Sequence, residues 1–151
     1  MPQINVDDTG YSITPPTGKA LVLNGVQICK ITETVLFSQF TDGGSTAGTY
    51  DLQSKIPVGA LYLGTAVTAV GAGFAGDTSA VMTIGDGSDV DRYNTSTINV
   101  FATAAAGIAA GIPSGTLYHA AAIAPKLTVT SATDFTSVSA GSVTVEMYYL
   151  T

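Results

Sequence analysis

Val143-Thr144-Val145-Glu146-Met147-Tyr148-Tyr149-Leu150 decides the fold class. Val143, Val145, Met147 and Tyr149 alternate with Thr144, Glu146, Tyr148 and Leu150, and a period of two residues belongs to a β-strand with one face on a core. A helix would instead gather apolar residues at spacings of three and four, opposite a charged face that no window of this chain supplies. The same alternation recurs upstream. Leu127 and Val129 alternate with Thr128 and Thr130. Leu61, Leu63 and Val67 alternate with Tyr62, Gly64 and Thr68, which sets the first three on the apolar face. Ile31, Val35 and Phe37 share one face of another run, interrupted by Glu33.

Between these runs stand breakers: Asp42-Gly43-Gly44, Pro57-Val58-Gly59, Gly85-Asp86-Gly87, Gly111-Ile112-Pro113 and Ala140-Gly141. Short alternating runs rich in Val, Thr, Ile, Tyr and Phe, punctuated this way, predict an all-β sandwich or barrel. The Ala-rich stretch Phe101–Ala110 is the one place where a turn or two of helix is expected, although Gly107 and Gly111 weaken it. The 151 residues suit one domain, assigned to residues 20–151. Residues 1–19 read differently. Thr14-Pro15-Pro16-Thr17-Gly18 forbids a central strand, and Tyr11 and Ile13 are apolar points in a polar stretch. This is either an extended N-terminal arm leaving the body or a first edge strand lying on it.

Charge narrows the function. Five Lys and Arg against 11 Asp and Glu give a net charge of −6. Five scattered cations cannot make the basic patch that nucleic acid or an anionic membrane surface requires. Only 11% of residues are charged, whereas Thr (22), Ser (12), Ala (20) and Gly (17) make up 71 of the 151. Ordinary domains carry about 25% charged residues. A surface of hydroxyls and small side chains is expected of a subunit that covers much of itself with partners. No apolar run reaches the ~18 residues of a membrane span, and the N-terminus lacks the pattern of a signal peptide, so assembly in a cytosol is expected.

Residues that could carry chemistry are few. Gly71-Ala72-Gly73-Phe74-Ala75-Gly76 fits a dinucleotide-binding fingerprint, but no crossover helix follows it, and a Gly-rich bend between strands is the expectation. Asp86, Asp89 and Asp91 form the one acidic cluster, a weak candidate for a hard cation. Their spacing matches no calcium-loop register, and a turn whose Asp side chains bond the backbone reads better. His119 is the chain's single histidine and reads as structural. The single cysteine, Cys29, is expected to be a buried, inert thiol and can form no intrachain disulfide. No nucleophile elbow, zinc motif or phosphate loop occurs, so no catalytic residue and no cofactor are assigned and an enzyme is not expected. Tyr62, Tyr148 and Tyr149 are read as cross-strand packing rather than a sugar-stacking platform.

Two stretches and the closing strand carry a resemblance. Ile56-Pro57-Val58-Gly59-Ala60-Leu61-Tyr62-Leu63, Thr83-Ile84-Gly85-Asp86-Gly87-Ser88-Asp89-Val90-Asp91-Arg92-Tyr93 and Val143–Leu150 resemble the small β-rich decoration (cement) proteins of tailed-bacteriophage heads. The resemblance covers residues 50 to 151 and implies a jelly-roll-like antiparallel β-sandwich without catalysis. It further implies a homo-oligomer, often a trimer, bound to major capsid protein on the capsid surface of a virion assembled in the bacterial cytoplasm. The alternative within the same virion is a receptor- or glycan-binding head fibre or tail component. Ile4, Val6, Tyr11, Ile13, Pro15 and Pro16 of the arm are the expected contacts with subunit or capsid, because extended segments add strands to a neighbour's sheet edge. Deleting residues 1–16 is expected to weaken capsid or subunit binding while the far-ultraviolet dichroism of the β-fold stays unchanged; undiminished binding would exclude the arm.

Overall fold

The computed structural model describes residues 3–7, 10–14, 22–23, 26–69, 72–94, 96–101, 108–109 and 117–151. Their strands are β1 (Gln3–Asp7), β2 (Gly10–Thr14), β3 (Val22–Leu23), β4 (Val26–Leu36), β5 (Thr41–Asp42), β6 (Ala47–Asp51), β7 (Leu61–Ala69), β8 (Ala80–Gly85), β9 (Ile98–Asn99), β10 (Ile108–Ala109), β11 (Lys126–Ser131) and β12 (Ser142–Leu150). The described helical structure is limited to two single 3-10 turns, Phe37–Gln39 and Phe135–Ser137. Of the stretch expected to hold helix, Ile108–Ala109 forms a strand pairing with β7, and 102–107 and 110 lie outside the described residues.

The strands form two five-stranded sheets, β10-β7-β12-β4-β3 and β5-β6-β11-β8-β9. The chain passes between them repeatedly: β4 in the first, β6 in the second, β7 in the first, β8 and β9 in the second, β10 in the first, β11 in the second and β12 in the first. All named pairings in the sandwich are antiparallel. That order is a jelly-roll, two Greek keys folded into a double sheet. Inward positions of both sheets meet in one core. Ile31, Val35, Val67, Val143, Val145 and Met147 come from the first sheet, and Met82, Ile84, Leu127 and Val129 from the second. Phe40 caps the core, its ring 5.7 Å from Phe74 in an edge-on arrangement and 6.0 Å from Phe135. Such pairs prefer this geometry because a ring's positive edge meets a negative face.

The alternation expected for β12, β11 and β4 holds. Val143, Val145, Leu127, Val129 and Val35 are wholly buried. The face expected for β7 does not hold. Tyr62, Thr65 and Val67 are buried, whereas Leu61 and Leu63 are 40% and 46% exposed. The cause is a bulge. Tyr148 pairs with Gly64 but Tyr149 pairs with Tyr62, so Leu63 is an extra residue in the ladder. One extra residue inverts the phase of everything beyond it. Upstream of the bulge Tyr62 therefore turns inward and Leu61 outward.

Two further departures have local causes. Glu33 interrupts the apolar face of β4 because its carboxylate joins the two sheets. It accepts from the Tyr50 hydroxyl of β6 at 2.8 Å and from the Gln53 backbone N–H at 3.0 Å. Cys29 is only half-buried, 3.7 Å from the Thr151 hydroxyl, rather than sealed in the core.

The described part of the N-terminal stretch is a hairpin. β1 and β2 pair antiparallel as a sheet of their own, with Ile4 opposite Ile13 and Val6 opposite Tyr11. Pro15 and Pro16 lie outside the described residues.

Gly48 of β6 lies directly beneath the Phe135 ring, where a Cβ would collide with its Cζ and Cε atoms. Gly48→Ala is expected to destabilise the fold by about 1–3 kcal/mol through overpacking. Chemical denaturation checks this as a lowered midpoint with an unchanged slope.

Candidate functional site

The outward face of β7-β12-β4 is built in rows set by register. At its middle, the Thr34 and Thr144 hydroxyls lie 2.8 Å apart across the β4–β12 ladder. In the next rows Lys30 Nζ donates to Glu146 Oε1 at 2.7 Å, and the Tyr148 hydroxyl donates to Glu146 Oε2 at 2.6 Å. The Lys30 ammonium also sits 5.9 Å from the Tyr148 ring centroid. The hydrogen bonds from Lys30 and then Tyr148 hold the Glu146 carboxyl below its ordinary range. These polar groups thus satisfy one another.

The following row is apolar. Ile28, Leu150 and Leu61 stand opposite one another across three strands, and Tyr118 bridges to Leu61 from the far side. Ile28 is 61% and Tyr118 53% exposed. Leu63, displaced by the bulge, adds to the same end. Beside this row runs an open edge. β3 pairs with β4 only at Gln27 and Val26, so from Ile28 to Leu36 the outer edge of β4 has no strand neighbour among the described residues. An edge of that length is a template for an added strand.

The acidic cluster folds as a turn. Asp86 is buried, and its Oδ1 accepts from the Ser88 N–H at 2.8 Å, the Ser88 hydroxyl at 2.8 Å and the Asp89 N–H at 2.9 Å. Its Oδ2 takes Arg92 at 2.7 Å. Burial works against the charge on Asp86, but the bonds from the Ser88 backbone, Arg92, the Ser88 hydroxyl and the Asp89 backbone outweigh it and lower its carboxyl to about 2. Gly85 is required here because a Cβ would collide with the Asp89 carbonyl. Asp89 and Asp91 are exposed, and the Asp91 N–H donates to Asp89 Oδ1 at 3.3 Å. Among the described residues no three His, Cys, Asp or Glu side chains gather as a metal group.

Behind this turn lies a buried polar cluster. The Tyr62 hydroxyl bonds the Thr65 hydroxyl, and its ring centroid is 4.9 Å from that of Tyr93. The Tyr93 hydroxyl lies 3.5 Å from His119 Nε2. Burial pushes the Tyr62 hydroxyl up to about 12. Asn94, also buried, accepts from the Ile84 N–H at 2.6 Å and so ends β8. In the Gly-rich bend, Phe74 and Ala75 make isolated bridges to Phe101 and Ala140, and the chain continues into β8. Among the described residues of the bend, 72–79, no helix follows the glycines.

The sequence marked the acidic turn, the single histidine and the arm. It missed the row Ile28–Leu150–Leu61, whose members are far apart in the chain; only the pairing of three strands, bulge included, unites them.

No protein-family model and no curated protein matches the chain. Among solved structures it is similar to a chain of the cyanophage Pam1 capsid asymmetric unit, at 19% identity and a TM-score of 0.48. The similarity covers 91% of this chain and 96% of that one.

Asp86→Ala is expected to cost about 2–4 kcal/mol, because it removes the acceptor for two backbone amides and a partly buried guanidinium. The lowered carboxyl also sets a pH window. The stability Asp86 contributes is fully present above its ordinary value of 3.8 and is lost as pH falls from there through about 2. Denaturant midpoints of wild type and Asp86→Ala measured from pH 6 to pH 2 should therefore converge at the acid end.

Proposed function

We propose that this chain is a structural subunit of a tailed-phage virion, decorating the outside of the capsid by multivalent contacts with major capsid protein and with copies of itself. The observation that carries the reading is the apolar row Ile28–Leu150–Leu61 beside the open edge of β4. Isolated exposed leucines are ordinary, but a contiguous row next to an unpaired strand edge marks an interaction surface. The surrounding surface supports it: only 11% of residues are charged, so little repulsion opposes close contact. The residues that resemble decoration proteins also occupy coherent places in the sandwich. Ile56–Ala60 leads into β7, and Gly85–Asp91 forms the turn after β8.

The function is mechanical rather than catalytic. Each contact of this kind is weak, and several made at once across neighbouring shell proteins raise the effective affinity steeply. The N-terminal hairpin offers a second contact. A two-stranded ribbon is marginally stable alone in water, so a hairpin that pairs Ile4 with Ile13 and Val6 with Tyr11 gains from being covered. A glycan-binding fibre is the second reading, favoured by Tyr118, an exposed aromatic on which a sugar can stack.

Light scattering on purified protein is expected to give a multiple of 15.2 kDa, with three copies as the proposed number. The double variant Ile28→Asp/Leu61→Asp should return the mass toward 15.2 kDa or abolish co-sedimentation with undecorated capsids, with the fold retained by dichroism. A monomeric wild type that binds no capsid but is retained by a glycan array, and loses that retention in Tyr118→Ala, would replace the decoration reading with the fibre.

A further inference from the structure

The segment Leu117–Ala122 runs beside Pro57–Tyr62 and buries one of its side chains. Leu117, Tyr118, Ala120, Ala121 and Ala122 are exposed, whereas His119 is only 1% exposed. The backbone of His119 bonds in both directions: its N–H donates to the Ala60 carbonyl at 2.9 Å, and its carbonyl accepts from the Gly59 N–H at 2.8 Å. Flanking bonds join Tyr62 N–H to the Leu117 carbonyl at 2.9 Å and Ile123 to Ile56 at 2.9 Å. The imidazole is thus the one side chain of Leu117–Ala122 that anchors this segment in the interior.

That anchor suits only a neutral ring. His119 packs on Tyr93 with centroids 5.8 Å apart, and Nε2 faces the Tyr93 hydroxyl at 3.5 Å. Nδ1 is buried with no hydrogen-bond partner. A neutral imidazole keeps one nitrogen free of hydrogen, but imidazolium carries N–H on both, so protonation would place a donor where no acceptor waits. The other groups near the ring do not compensate. The Tyr62 and Tyr93 hydroxyls remain neutral at physiological pH. Arg92 repels a second cation, and the nearby Asp86 carboxylate is already engaged by Arg92 and by the turn. Burial first, and then the Arg92 charge, hold the imidazole below its ordinary value of 6.5, with Asp86 opposing.

We propose that His119 is an acid-sensitive latch: neutral, it pins Leu117–Ile123 to the sandwich, and protonated, it releases that segment while the two sheets stay folded. The direction follows from linkage. Below pH 6.5 the released state binds a proton that the latched state refuses, so latching weakens as pH falls and is fully present above that value. This property belongs to the single chain and does not depend on the proposed partner, although the segment it holds carries Tyr118, which bridges to Leu61 of the apolar row.

Because the chain has one histidine, its imidazole C2 proton gives an unambiguous resonance. Hydrogen exchange read by mass spectrometry, corrected for intrinsic rates, should show protection of the 117–123 peptide falling several-fold between pH 7.5 and pH 5.0. Protection of β12 should hold. His119→Phe, which keeps a buried ring that cannot protonate, should remove the pH dependence. The latch is overturned if wild-type protection of 117–123 is flat across this range, if His119→Phe loses it in parallel, or if β12 opens together with the segment. Should His119→Phe fail to fold, the wild-type resonance decides: its titration must coincide with the loss of protection, and titration with the segment still protected rejects the proposal.

Discussion

β12 sits in the middle of its sheet, paired with β4 over Ser142–Leu150 and with β7 over Thr144–Leu150, and its register constrains everything else. Val143, Val145 and Met147 are wholly buried between the sheets. A slip of one residue would expose all three and drive Thr144, Glu146 and Tyr148 into the core. Each apolar side chain buried is worth about 1.5–3 kcal/mol, and an unpaired buried carboxylate costs several more. A one-residue slip is therefore excluded. With β12 fixed, the inward rows of β4 and β7 are fixed as well, and β11 plays the same central part in the facing sheet between β6 and β8.

Three of the chain's five cations are paired with carboxylates. Lys30 is paired with Glu146, Arg92 with Asp86 and Lys126 with Asp51. Hydroxyl contacts such as Thr34–Thr144 occupy the places where ordinary proteins present Lys and Glu. Of the described edge strands, β5 and β9 are two residues each, and short edges limit indiscriminate pairing. Among the described residues most of the outer edge of β4 has no strand neighbour, beside the exposed apolar row.

The polar interior is organised from the turn after β8. Asp86 shapes that turn and holds Arg92. Tyr93 and Asn94 follow at once, one packing on Tyr62 and His119 and the other ending β8. A surface turn, a strand end and a buried histidine are therefore linked within a few residues. Much of this was legible beforehand. Three aspartates in Asp86-Gly87-Ser88-Asp89-Val90-Asp91 with no closing Glu read as a turn, because short carboxylates bond nearby amides more readily than they complete a cation shell. The lone histidine read as structural. Its depth and its unmatched Nδ1 did not, since both depend on Tyr62, Tyr93 and Ala60, which arrive from distant parts of the chain.

From the chain alone came the class of fold and the inward rows of β4, β11 and β12, for a period of two is a local property and each of these strands states which face is buried. Low charge and the lack of a helical face are equally local. The tertiary structure decided what depends on pairing. The segment around Leu61 reads as a regular strand with Leu61 and Leu63 inward, yet Leu63 is an extra residue against β12, and the phase turns over there. Alternation within one strand cannot report a mismatch with its neighbour. The same holds for the hairpin of β1 and β2 and for the row Ile28–Leu150–Leu61, because both are made by register between segments and not by the order of residues within one.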